Sequence, residues 1–102
     1  MRKIIATDLA KFKLKKILTD IEKQWTKTIR IEFAKELAKI VETLKVFPNA
    51  YPKSKIINGL HKCIISKQTS MYYKFDKNNI YIINFIDNRQ NPDDIEKELN
   101  FH

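Results

Sequence analysis

HKCIISKQTSMYYKFDKNNIYIINFI, residues 61–86, is the stretch that decides the fold. Its runs His61–Lys67, Ser70–Phe75 and Ile80–Ile86 are rich in Ile, Tyr and Phe, residues that suit a pleated, half-buried surface. Turn-forming residues at Gln68-Thr69 and Asp76–Asn79 separate them, so the stretch reads as an antiparallel three-strand meander. With a two-residue turn at Gln68-Thr69 and Lys77-Asn78 central in the next, one face carries His61, Cys63, Ile65, Lys67, Ser70, Tyr72, Lys74, Tyr81, Ile83, Phe85 and Asp87, with Arg89 at its end. The other carries Ile64, Met71, Tyr73, Phe75, Ile80, Ile82 and Ile86 and, being more apolar, is expected to receive helices. The first face is then open, basic and aromatic. Rings beside cations suit bases stacked over neutralised phosphates, and equally a protein interface. A slip of one residue would exchange the two faces.

Working outward, Arg2–Ala6 is β-prone through Ile4 and Ile5, and Thr7-Asp8 is a helix start with an acid at the positive end of the dipole. Leu14, Ile17, Leu18, Ile21 and Trp25 then fall on one helical stripe, with Lys11, Lys13, Lys15, Lys16 and Lys23 mostly off it. After a break at Thr26–Thr28, Phe33, Leu37, Ile40, Val41 and Leu44 repeat the spacing in a second helix that ends before Phe47-Pro48. Each helix of a hairpin must bury one side, so both stripes, Trp25 included, are expected in the core. Pro48–Gly59 reads as a loop, and a last helix follows Pro92. The expectation is an α+β protein of order β-α-α-β-β-β-α, one domain over residues 1–102, with an antiparallel sheet and a helical hairpin on one face.

The formal charge of +8 is unevenly spread. Residues 1–27 hold 8 basic and 3 acidic side chains and residues 48–78 hold 6 and 1, whereas residues 79–102 hold 2 and 5. Such a basic protein favours nucleic acid, the ribosome or an acidic protein partner. No signal peptide or apolar run of membrane-spanning length is seen, and Cys63 is the sole cysteine, so a reduced, cytoplasmic protein with a buried thiol is expected. One cysteine and two histidines make no zinc set, and one glycine makes no nucleotide loop, so no cofactor is expected.

Several punctuating segments resemble the RelE/ParE superfamily of toxins, over nearly the whole chain. They are Ile21-Glu22-Lys23-Gln24-Trp25, Leu44-Lys45-Val46-Phe47-Pro48 with Tyr51-Pro52, Gly59-Leu60-His61-Lys62, Tyr72-Tyr73, and above all Phe85-Ile86-Asp87-Asn88-Arg89-Gln90-Asn91-Pro92. The resemblance implies the toxin of a type II toxin–antitoxin system, with roles that include plasmid stabilization, held in a hetero-oligomer by a cognate acidic antitoxin. The leading expectation for its target is the ribosome and its mRNA, cut by a metal-independent mRNA interferase; the runner-up is DNA gyrase, inhibited without chemistry. A degenerate toxin that keeps only antitoxin binding is a third reading.

A metal-free ribonuclease needs a base, an acid and cations for the phosphate. The candidate catalytic residues are Arg89, His61 and Lys67, and the candidate RNA- or target-binding residues are Lys74, Tyr72 and Tyr81. Arg89 resembles the arginine that ribonuclease members place after the last strand. Ser70 stands where they have another arginine, and the tail Pro92–His102 has no tyrosine, only the terminal His102. Arg89 has a competing role, pairing with Asp87 to set the turn into the last helix.

Overall fold

The computed structural model describes residues 1–100, so His102 lies outside the described residues. The elements follow the expected order: β1 (Lys3–Ala6), α1 (Asp8–Gln24), α2 (Lys27–Val46), β2 (His61–Ile64), β3 (Thr69–Phe75), β4 (Asn79–Asp87) and α3 (Pro92–Leu99). The meander β2-β3-β4 is antiparallel as expected, and β1 adds to β4 in parallel, so the four-stranded sheet is mixed, in the order β1-β4-β3-β2.

The hairpin's starting point is set locally. Thr7 caps α1 by accepting from the Ala10 amide, while its own amide and hydroxyl reach the carbonyls of Ile82 and Ile83 in β4. Thr26 caps α2 from the Ile29 amide, which leaves only Trp25 and Thr26 between the helices. Asn91 caps α3 from the Asp94 amide, with Pro92 opening the helix.

Two apolar layers flank the sheet. On the hairpin side Ala10, Phe33, Ile40 and Leu44 meet Cys63, Ile65, Met71, Tyr73, Ile80, Ile82 and Phe85. On the other side Ile95 and Leu99 of α3, with Leu60 of the loop before β2, cover Tyr72, Ile83 and Ile86. The face expected to be open is therefore roofed in part by α3, and Tyr72 is fully buried.

Two departures from the expected register explain the exchange of residues between faces. β2 pairs His61 with Tyr73 and Cys63 with Met71, so Ile65–Gln68 form a wider connection than a two-residue turn. The odd shift turns His61 and Cys63 toward the hairpin and leaves Ile64 exposed. The β3–β4 turn sits where expected, with Phe75 opposite Ile80, but Tyr73 pairs with Ile82 and Tyr72 with Asn84, which makes Ile83 the extra residue of a β-bulge. Beyond the bulge the alternation inverts, sending Phe85 to the hairpin and Ile86 to α3. Thr7 binds the carbonyl of that extra residue, so the helix cap and the bulge are one device.

Trp25 is a second correction, for it is 59% exposed and not in the core. Thr7 fixes the start of α1 beside Ile82 and Ile83, with four residues of β4 left to run, about 13 Å of strand. The 17 residues of α1 extend about 25 Å. The hairpin tip therefore overshoots the sheet, and Trp25 and Ile29 have no strand beneath them.

Candidate functional site

That overshoot opens a cleft of ≈ 580 Å³ between the hairpin and the far end of the sheet. Ile17, Ile21, Trp25, Ile29 and Phe33 form one wall, and Ile65 and Phe85 lie at its sheet side. Lys67, Gln68, Asp87 and Arg89 form the other wall, and Asn88, itself outside the lining, ties it together: its amide donates to the Gln68 carbonyl at 2.8 Å, its side chain to the Lys67 carbonyl, and its Oδ1 accepts from Ser70 Oγ at 2.6 Å. These bonds bring the β2–β3 connection, and Lys67 with it, beside Asp87 and Arg89.

The rim carries four cations, Lys13, Lys16, Lys67 and Arg89, and four carboxylates, Asp20, Glu32, Glu36 and Asp87. The cleft is thus apolar in its depth and balanced in charge at its mouth. Arg89 forms a fork with Asp87, its NH2 2.7 Å from Oδ2 and its Nε 3.0 Å from Oδ1, and its amide also donates to Oδ1. The Arg89 hydrogen bonds hold the Asp87 carboxyl below the usual range. Of the two roles open to Arg89, the turn-setting pair is the one seen, although its guanidinium stays largely exposed.

The expected site residues divide into four places. Lys67 and Arg89 share the cleft. His61 does not: it is 8% exposed, stacks on Tyr73 with ring centroids 5.2 Å apart, and its Nδ1 lies 2.9 Å from the Tyr51 carbonyl. Tyr72 is sealed under α3, its hydroxyl without a partner and its acidity suppressed by burial. Lys74 and Tyr81 remain at the surface near the opposite end of the sheet, as cross-strand neighbours. Tyr81 is half-buried, and its hydroxyl donates to Asp76 and accepts from Asn79. The one basic aromatic face read from the sequence is therefore a corrected expectation, because the shifted β2 register, the bulge and α3 disperse it.

Sequence reasoning missed Lys13, Trp25 and Ile29 as cleft residues, and Asn88 as the residue that ties one wall together. A signal was present for Trp25, since a large ring immediately before a helix cap sits at a hairpin tip. Asn88 lay inside a quoted motif with no partner visible in sequence. Among the described residues no group of His, Cys, Asp and Glu is arranged to hold a metal, and no helix is long and apolar enough to cross a membrane.

The architecture, a four-stranded mixed sheet with three helices, is a fold shared with solved structures. A chain from the structure of the chromosomal ParDE TA system from P. aeruginosa superposes with a TM-score of 0.69 at 13% identity, covering 85% of this chain and 96% of that one. The conserved hypothetical protein HP0894 from Helicobacter pylori gives 0.51, also at 13% identity, covering 88% and 98%. At such identities the likeness is one of fold. No family profile matches the sequence, and no curated protein does.

Proposed function

We propose that this chain is the toxin half of a cytoplasmic toxin–antitoxin pair, that it acts by gripping a protein target in the manner of a ParE-like inhibitor of DNA gyrase, and that an acidic antitoxin neutralises it. The observation that carries the reading is the cleft at the hairpin tip. An apolar trough with an exposed tryptophan and a charge-balanced rim suits a protein segment, because aromatic anchors in desolvated pockets dominate such contacts. Phosphate would be drawn to a rim of net positive charge. The ParDE-type fold supports the toxin–antitoxin setting, and the overall charge of +8 supports an acidic antitoxin. In this reading Lys67 and Arg89 contact the partner from the rim, and His61 holds the loop at Tyr51.

RNA cleavage is the second reading, favoured by one observation: Lys13, Lys16, Lys67 and Arg89 lie around one opening and are cations enough to hold a scissile phosphate. It loses the base expected from the sequence, because the buried His61 is not among the cleft's residues, and a rim carboxylate or lysine would have to take that part. Gyrase supercoiling and cleavage of ribosome-bound messenger in a translation extract, run in parallel on the same preparation, separate the two. Loss of supercoiling with intact messenger is expected. Messenger cleavage with unaffected supercoiling would transfer the function to the ribosome.

A further inference from the structure

A second charged region lies at the other end of β4, which at about 3.3 Å per residue over nine residues is roughly 30 Å from the cleft. There the β3–β4 turn, the start of β1 and the end of α2 converge. Arg2 donates from its amide to the Lys45 carbonyl and from Nε to the Asp76 carbonyl, and the Lys3 amide donates to the Asn78 carbonyl. Arg2, Lys3, Lys45, Lys77, Asn78 and Asn79 line one shallow depression. Lys74 is exposed on the adjoining end of β3, one residue before Phe75.

These five cations face two carboxylates. Glu42 is paired with Lys45 at 2.8 Å. Asp76 is occupied by the turn itself, accepting from the Asn78 and Asn79 amides and from the Tyr81 hydroxyl, and the Asn78 amide is first among the bonds that keep its carboxyl below the usual range. The backbone network thus holds Arg2, Lys3 and Lys77 around a turn whose one acid is already engaged. The cleft is charge-balanced and apolar; this corner is net positive and polar. No aromatic ring lines the depression, and the Phe75 ring beside it already has the Arg2 guanidinium over it, 5.7 Å from the centroid. Bases have no free ring to stack on, whereas a paired backbone asks only for cations at intervals.

We propose that this corner, formed by Arg2, Lys3, Lys45, Lys74 and Lys77, binds the phosphate backbone of duplex DNA without reading sequence. The corner and the cleft point to opposite ends of the sheet, so the protein can hold DNA by one end and a protein by the other. This does not rest on the toxin reading, and its test contains no toxicity measurement.

The test is fluorescence anisotropy of the full chain with a labelled 20-base-pair duplex between 50 and 200 mM salt. The corner variant Lys3→Glu/Lys74→Glu/Lys77→Glu is compared with an equal charge change on the exposed side of α1, Lys11→Glu/Lys15→Glu/Lys23→Glu, and with Lys67→Glu in the cleft. The corner variant should lose about 10-fold or more in affinity and flatten the slope of log affinity on log salt by about 2 to 3, since each lost phosphate contact removes roughly one unit. The α1 and cleft variants should stay within about 3-fold of wild type by the same reasoning of local contact. Circular dichroism melting confirms folding, and should the triple reversal unfold, Lys74→Gln/Lys77→Gln replaces it with a slope change of about 2. An α1 variant that weakens binding as much as the corner variant would overturn the proposal, as would absence of salt-dependent binding by wild type. Tighter binding of a single-stranded RNA through the same residues would overturn the choice of duplex DNA.

Discussion

Replacing Trp25 by Ala should separate stability from binding. With 59% of the residue exposed, only about two fifths of its surface is covered. A buried aromatic covers about 150–250 Å², so roughly 60–100 Å² is at stake here. At ~25 cal/mol per Å² that is at most ~1.5–2.5 kcal/mol, and a compact unfolded chain lowers it to ~1–2 kcal/mol. Leu44, fully buried beneath α2, is the control: Leu44→Ala leaves a cavity and should cost ~2–5 kcal/mol. Urea unfolding gives both numbers. Calorimetric titration with the antitoxin or target then reads the second half of the prediction, a loss of ~2 kcal/mol or more in affinity for Trp25→Ala, as for an aromatic anchor. A Trp25→Ala variant destabilised as much as Leu44→Ala, with unchanged partner affinity, would show that the ring belongs to the core and that the overshooting tip is misread.

Tyr72 and Tyr73 make a matched pair in one strand. The Tyr72 hydroxyl is buried without a partner, whereas that of Tyr73 donates to the Pro48 carbonyl at 2.8 Å, so Tyr72→Phe should leave stability unchanged or raise it while Tyr73→Phe should lower it by about 1–3 kcal/mol in urea melts. At high pH, burial pushes the Cys63 thiol up to about 11 and the Tyr73 phenol up to about 12, so the folded protein keeps protons that the unfolded chain releases. Stability is then full below the unfolded thiol value near 9 and falls as pH rises through 11; Cys63→Ala should flatten the first part of that fall in a pH series of melting temperatures. At low pH the Asp87 carboxyl, depressed by Arg89, contributes stability above the ordinary carboxylate range that is lost as pH falls through its folded value. Arg89→Ala should shrink that acid limb and leave stability at neutral pH little changed, as expected of an exposed pair.

Most of the element order was legible because each boundary has a local cause. Thr7 before Asp8, Thr26 at the head of the expected break, and Asn91-Pro92 are caps that act within one turn, and the Asp76–Asn79 turn set the β3–β4 register from its own hydrogen bonds. What escaped was decided at a distance. The bulge at Ile83 is tied to Thr7, a residue 76 positions earlier, and no alternation within β4 announces it. The β2 register answers to Asn88 and to the bridge between Lys53 and His61, not to Gln68-Thr69. α3 was read as a tail helix, yet Ile95 and Leu99 find a sheet face that apolar counting had left open, and an ion pair from Lys13 to Glu98 ties it to α1. Trp25 shares a stripe with true core residues, and only the lengths of helix and strand place it in the open. The candidate site suffered most, since it was built on faces and faces depend on register: Lys67 and Arg89 meet, while His61, Tyr72 and Tyr81 are elsewhere.

The central claim is that this protein stops growth until a partner covers it, and growth itself is the direct readout. The chain is expressed from an inducible promoter in a host lacking any cognate antitoxin, soluble accumulation is verified, and culture density is followed with and without co-expression of the proposed acidic antitoxin, sought in the adjoining reading frame. Arrest on induction, relieved by the acidic partner, is the predicted result. Undisturbed growth at verified soluble expression would contradict the account and leave a toxin fold without a toxin's action.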